Sequence, residues 1–101
     1  MQKNNLTGKQ KAFLRSLGMN EEPIVFIGKE GVSPTVVKAA REAIQKRELI
    51  KVRVLPSVLD APKDVITVLA ERSSANLVQV IGRNGLLFRR NNEKPKIDLP
   101  K

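Results

Sequence analysis

The chain contains no cysteine and no histidine. Their absence excludes disulfide bonds, thiol nucleophiles, histidine-based acid–base catalysis and the commonest zinc ligands. The longest apolar runs, such as Leu77 to Ile81, are far shorter than the roughly 18 residues that span a bilayer, and the first residues lack the apolar core of a signal peptide. We therefore expect a soluble, cytoplasmic protein that is not an enzyme and has no cofactor, no metal site and no small-molecule substrate.

Aromatic residues are also scarce, because the chain has three phenylalanines and neither tyrosine nor tryptophan. An RNA-recognition motif stacks bases on exposed aromatic side chains of its sheet, so this composition disfavours that fold. Phe13 and Phe26 stand within apolar patterns typical of a core, whereas the pattern leaves Phe88 open between core and surface. Sequence-specific reading of unpaired bases is therefore poorly supported.

Positive charge is the most prominent feature that is present. Nineteen Lys and Arg outnumber ten Asp and Glu, which gives a net charge of +9 and a pI near 10.4. An excess of this size in one small domain indicates a polyanionic partner. Residues 1–20 carry four basic residues, including Lys3, and no acid, and residues 83–101 carry six basic residues against two acids. We expect these two ends to meet in one continuous positive surface.

Residue patterns predict a single α/β domain over residues 1–101, with the order α-β-α-β-α-β-β and a four-stranded mixed sheet. The predicted elements are a helix with a Thr7–Gln10 capping box, a strand at Pro23 to Ile27, a helix capped by Ser33 and begun by Pro34, a strand at Leu49 to Leu55, a helix capped by Asp60, a central strand at Leu77 to Ile81 covered on both faces, and a return strand at Leu86 to Arg90.

Two features complete the predicted fold. Asn84-Gly85 indicates a type I′ hairpin turn between the last two strands, because both of its positions tolerate positive φ. Residues 91–101 are polar and contain prolines, which predicts an extended tail with Ile97 and Leu99 available for packing.

The segment Gly28-Lys29-Glu30-Gly31 joins the first strand to the second helix. Two glycines three positions apart permit a tight turn that a phosphate can approach closely, while amides of the turn and of the next helix, together with Lys29, would attract it. A simple tight turn explains the pattern equally well, and Glu30 opposes anion binding. In a KH domain such a loop joins two helices, whereas a strand precedes it here.

The order of several motifs resembles the CRM domain, the chloroplast RNA splicing and ribosome maturation domain, in its free-standing bacterial YhbY-like form. The motifs are Leu6-Thr7-Gly8-Lys9-Gln10, Pro23 through Gly31, Glu48-Leu49-Ile50-Lys51-Val52, Val78 through Gly82, Leu86-Leu87-Phe88-Arg89 and Ile97-Asp98-Leu99-Pro100. The resemblance implies a fold like the C-terminal domain of translation initiation factor 3, RNA binding and association with precursors of the large ribosomal subunit. It also implies RNA contacts at Gly28, Lys29, Glu30 and Gly31. Glu30 in the loop and Phe88, where a tyrosine is common, depart from the family pattern.

We therefore predict a monomeric RNA-binding protein that contacts the backbone of structured RNA, with ribosomal RNA precursor as the expected partner in large-subunit assembly. Recognition would depend on charge and RNA shape. Beyond the Gly28–Gly31 segment, the predicted contacts are Lys9, Lys11, Arg15, Lys38, Arg41, Lys51, Arg53, Arg83, Arg89 and Arg90.

Three other functions fit parts of the sequence. The same cations could dock on an acidic protein, and competition by bulk RNA would distinguish that case. A metal-assisted nuclease could use Asp60 and Asp64, although capping and the helix dipole explain those acids better. Membrane-surface binding ranks last, because no basic helix also presents a large apolar face.

Overall fold

The structure, a computed structural model, describes residues 6–101 and contains the predicted order of elements in a single α/β domain. The elements are α1 (Gly8–Gly18), β1 (Pro23–Ile27), α2 (Pro34–Arg47), β2 (Leu49–Val54), α3 (Pro62–Arg72), β3 (Asn76–Ile81) and β4 (Asn84–Phe88). Lys3, which the charge argument included, lies outside the described residues. No helix within residues 6–101 is long and apolar enough to cross a membrane.

The four strands form one mixed sheet in the order β1-β2-β4-β3. β1 is parallel to β2, and β4 is antiparallel to both of its neighbours. The prediction of a mixed sheet is confirmed, but the prediction that β3 is central is wrong, because β3 forms an edge. Leu77 and Val80 of β3 pack on one side of the sheet and Val78 packs on the other. The strand is therefore apolar on both faces although it lies at the edge of the sheet.

The larger core lies between the sheet and helices α2 and α3. Its fully buried residues include Ala40 and Ile44 of α2, Ile66 and Leu69 of α3, and Ile50, Val52 and Val54 of β2. The predicted alternation on β2 is thereby confirmed, and it directs Lys51 and Arg53 to the opposite face of the sheet.

A smaller core fills the other face, where α1 packs over β2, β4 and β3. Leu14 of α1 contacts this cluster together with Phe88, which is 1% exposed and therefore a core residue. Phe26 points to the same face but is 50% exposed, so its predicted place in the core is wrong. Phe26 lies on the edge strand β1, and the cluster beneath α1 includes no residue of that strand.

Helix starts follow local chemistry in two of three cases. The Thr7–Gln10 capping box of α1 is present, and Ser33 Oγ accepts the N–H of Val36 at the start of α2. The predicted Asp60 cap is wrong, because α3 starts after Ala61 without a side-chain cap. Pro62 in the first turn has no N–H to satisfy, which reduces the need for a capping oxygen.

The hairpin between β3 and β4 turns two residues earlier than predicted. Ile81 pairs with Asn84, so Gly82 and Arg83 form the turn. Gly82 has φ +58, which suits a type II′ turn with glycine first. Gly85 lies inside β4, where a Cβ would come within 2.7 Å of the Ile66 side chain, and its small size therefore serves helix packing.

The tail after β4 is held against the domain by one buried carboxylate. Glu48 follows α2, is completely buried and has φ 65. Its Oε2 accepts the N–H of Asn91 at 2.7 Å, and its Oε1 accepts the N–H groups of Lys96 and Ile97 at 2.7 and 2.8 Å. Ile97 and Leu99 pack against the smaller core, as their apolar character predicted.

Candidate nucleic-acid interface

Residues 28–31 form a tight, solvent-exposed turn between β1 and α2. The Gly31 N–H donates to the Gly28 carbonyl at 2.8 Å, which places Lys29 and Glu30 at the corner of the turn. Both corner side chains are exposed. Gly31 has φ +73, a conformation that favours glycine. The turn therefore presents Lys29 to solvent on a fixed backbone.

Internal hydrogen bonds occupy part of the predicted amide cradle for a phosphate. The N–H of Gly31 closes the turn, the N–H of Ser33 donates to the Gly31 carbonyl at 2.9 Å, and the N–H of Val36 donates to Ser33 Oγ at 3.3 Å. These three donors are already used within the protein. The exposed Lys29 side chain and the α2 dipole remain to attract an anion to this segment.

Arg72 connects the turn to α3. Its NH1 donates to the carbonyl oxygen of Val32 at 2.8 Å, across 40 positions of sequence. The end of α3 thus holds the backbone where the turn enters α2. Helical periodicity placed Arg72 in the pattern of α3, but the sequence contained no signal for this long-range bond.

Basic side chains from three parts of the chain line one side of α2. Arg72, Lys38 and Arg41 border one shallow depression, and Arg41, Lys46 and Arg89 border the next. One acid, Glu42, borders both depressions among these cations. We call these residues the α2 stripe: Lys38, Arg41, Lys46, Arg72 and Arg89. Among them, Lys38, Arg41 and Arg89 were predicted contacts, whereas Lys46 and Arg72 were not. The stripe begins beside the turn, because Arg72 also shares a depression with Gly31.

Arg89 is held firmly within the stripe. Its NH1 donates to the Ser73 carbonyl at 3.1 Å and its NH2 to Gln45 Oε1 at 3.4 Å. Burial, and then the neighbouring positive charge of Arg41, lower the pKa of the Arg89 guanidinium from its ordinary value. An arginine remains charged at neutral pH despite such a shift. Two like charges in this arrangement would be stabilised by an anion between them.

The remaining predicted contacts lie mostly elsewhere. Lys51 and Arg53 project from β2 on the sheet face that carries α1, and α1 itself bears Lys9, Lys11 and Arg15. Arg90 follows Arg89 and is half-buried. The two ends of the chain do meet, because Gln10 Nε2 donates to the Pro100 carbonyl at 3.0 Å. The expectation that all these cations form one continuous face is wrong, because the sheet separates the cations of β2 and α1 from the α2 stripe.

Comparison with known proteins identifies the family. The family model described as the CRS1 / YhbY (CRM) domain matches residues 6–89. The chain belongs to the CRM family. The resemblance stated from the motifs is thereby confirmed.

Two relatives and one solved structure match this CRM domain over almost their full length. The "Probable RNA-binding protein YqeI" of Bacillus subtilis is 43% identical over 94% of this chain and 99% of its own. An "RNA-binding protein" of Haemophilus influenzae is 33% identical over 95% of this chain and 96% of its own. The solution structure of hypothetical protein SAV1595 from Staphylococcus aureus, whose description proposes RNA binding, has a TM-score of 0.80 and 43% identity, covering 95% of this chain and 100% of that one.

Arg83 has a structural task in this CRM domain. Its Nε donates to the Val54 carbonyl at 2.9 Å, and its NH2 donates to the carbonyls of Leu55 and Val58 at 2.8 and 2.9 Å. These bonds hold the segment between β2 and α3. Three of its hydrogen bonds thus go to backbone carbonyls, and the RNA contact at Arg83 stays a prediction.

The two acids considered for a nuclease lie near the turn. Asp60 and Asp64 border the same depression as Gly31 at the start of α3. Within the described part of the CRM domain, no group of three or more Asp, Glu, His or Cys residues could hold a metal ion. Asp60 lies just before α3 and Asp64 lies in its first turn, and both positions agree with stabilisation by the helix dipole.

Proposed function

We propose that this CRM domain binds the sugar-phosphate backbone of structured RNA through the α2 stripe and Lys29, and that it does so without catalysing a reaction. The family, the names of the relatives and the net charge of +9 support this proposal. The backbone of RNA is the polyanion that a row of cations without stacking aromatics suits best.

The observation that carries the proposal is the length and continuity of the α2 stripe. α2 has 14 residues and is therefore about 21 Å long. With Lys29, the five cations of the α2 stripe are enough to contact about four to six phosphates of one RNA. Cations from α2, α3 and the end of β4 lie along α2.

The proposed RNA is precursor ribosomal RNA, and the proposed role is in assembly of the large ribosomal subunit. We propose that the protein acts in the cytoplasm and as a monomer. The family resemblance supports this narrower assignment. Crosslinking the protein to cellular RNA and sequencing the attached fragments tests it. Enrichment of large-subunit precursor sequences is expected, and enrichment of unrelated messenger RNAs would contradict it.

Charge reversal at matched positions tests the interface. Arg41→Glu in the stripe and Lys29→Glu in the turn are expected to weaken binding of a structured RNA roughly tenfold or more at moderate salt, because each replaces an attraction to phosphate by a repulsion. Lys9→Glu, which makes the same change in net charge on α1 across the sheet, serves as the matched control. Affinities are measured by fluorescence anisotropy with a labelled RNA hairpin.

All three side chains are exposed, so melting temperatures should remain close to that of the wild type. Equal weakening by all three substitutions would show that only net charge matters and would contradict the α2 stripe as the interface. If an acidic protein is the true partner, a bound cellular partner should resist competition by bulk RNA.

A further inference from the structure

On the sheet face that carries α1, helix α1 and the tail leave part of the sheet exposed to solvent. Beyond the end of α1, one residue from each strand lies in a row across the sheet, since the register pairs Phe26 with Arg53, Arg53 with Asn84, and Asn84 with Ile81. Paired residues of neighbouring strands point to the same face. Phe26 is 50% and Ile81 is 64% exposed. We call these four residues the open row.

A cavity of about 250 Å³ lies at the Ile81 end of the open row, where α1 meets the sheet. Its lining includes Met19, Lys51, Gln79, Ile81, Asn84 and Leu86. Asn84 Oδ1 is buried and has no hydrogen-bond partner among residues 6–101. A buried acceptor without a donor is unfavourable, so a ligand that donates an N–H to this atom would gain free energy once the Asn84 amide rotates toward the cavity. We call this cavity the sheet slot.

The charges of the open face select the class of ligand. None of the four strands contains an acidic residue, whereas β2 contributes Lys51 to the sheet slot and Arg53 to the open row. A suitable ligand therefore combines a flat apolar ring, an N–H donor at the ring edge and a negative charge. A nucleotide has all three.

We propose that this face binds unpaired nucleotides of an RNA, with one base in the sheet slot and another stacked on Phe26. Asn84 Oδ1 accepts a hydrogen bond from the base in the slot. Lys51 and Arg53 lie on β2 between the two base positions and contact the phosphates. This inference rests on the proposed function, because the unpaired segment adjoins a structured RNA held by the α2 stripe.

The turn at residues 28–31 connects the two surfaces. Phe26 precedes Gly28 by two residues, so the turn begins beside one end of the open row. The residue after the turn, Val32, is held by Arg72 of the α2 stripe. An RNA strand that leaves a duplex on the stripe can therefore pass exposed Lys29 and continue across the open row.

Two RNAs separate this inference from the proposed function. One is a blunt hairpin, and the other is the same hairpin with a short unpaired extension. We expect the extension to increase the affinity of the wild-type protein roughly tenfold, on the scale of one stacked base. Phe26→Ala and Phe26→Leu should both lose this gain while binding the blunt hairpin normally. Lys51→Gln should reduce the gain, whereas Arg41→Glu should weaken both RNAs equally.

The leucine variant shows whether the aromatic ring is used, because leucine retains an apolar side chain of similar size. Retention of the full gain by Phe26→Leu would overturn the inference, and so would equal binding of the two RNAs by the wild type. Failure of the blunt hairpin to bind would instead contradict the proposed function. Sedimentation of the protein without RNA tests the alternative that the open row binds a second copy of this chain. A dimer that Phe26→Ala abolishes would support that alternative and overturn the inference.

Discussion

Gly28 and Gly31 close the same turn, but their backbones have different requirements. Gly31 has φ +73 with open space around it, whereas Gly28 has no positive φ and a Cβ there would make ordinary contact with Leu55 at 3.7 Å. A Cβ at Gly28 would therefore point toward Leu55 rather than toward an approaching phosphate. Only the second glycine is needed for its conformation.

We predict that Gly31→Ala lowers the free energy of unfolding by about 1 kcal/mol, the cost of a left-handed conformation for a residue with a Cβ. Gly28→Ala should change it by no more than a few tenths of a kcal/mol and should leave RNA affinity unaltered. Urea denaturation and anisotropy measure the two properties. A large loss of affinity in folded Gly28→Ala would show that RNA requires the bare backbone at that position.

Individual residues show how far local sequence determines structure. Thr7 and Ser33 cap helices as predicted, because a cap depends only on the next three residues. Phe26 and Phe88 occupy similar apolar patterns, yet one is half-exposed and the other buried. Whether α1 covers the strand decides the difference, because α1 directly precedes β1 in sequence and yet packs over β2, β4 and β3.

At the scale of elements, Glu48 connects α2, β2 and the tail. Its positive φ is unfavourable for a residue with a side chain, and its burial would be unfavourable without partners. Three backbone N–H groups of the tail compensate both costs. The tail is therefore part of the folded domain, although the family model ends at residue 89.

We predict that Glu48→Gln destabilises the protein by about 2 kcal/mol or more, because the amide NH₂ must face at least one backbone donor. The tail should also become sensitive to proteolysis. Glu42→Gln on the exposed side of α2 is the matched control and should change stability by less than about 0.5 kcal/mol. Equal stability of the two variants in urea denaturation would show that the tail contributes little.

The order of elements was predictable from hydrophobic periodicity, whereas the arrangement of strands was not. The sequence predicted that β3 and β4 form a hairpin, and the two strands do pair as a hairpin. The sequence did not reveal that β4 lies between β2 and β3, because pairing of Leu49 with Phe88 depends on contacts between residues far apart in the chain. The turn was misplaced because Gly85 has a packing role that sequence alone does not distinguish from a turn role.

At the scale of the whole molecule, net charge indicated the class of partner but not the position of the interface. The sequence placed the excess cations at the two ends of the chain, yet the α2 stripe draws most of its residues from the middle. Arg83 illustrates the reason, because its guanidinium holds a backbone segment instead of adding to a positive surface. Only the fold shows which cations hold backbone segments, as Arg83 does, and which lie exposed along α2, as Lys38 and Arg41 do.

Salt should act on folding and on RNA binding in opposite directions. A net charge of +9 makes the free protein repel itself, and added salt screens that repulsion, so the melting temperature should rise with salt concentration. RNA affinity should fall, with log K decreasing against log salt at a slope of roughly 3 to 5 for about four to six phosphate contacts. Arg41→Ala should reduce this slope by about 1. Calorimetry and anisotropy over the same salt series measure both effects, and a flat binding response would remove the basis for backbone recognition.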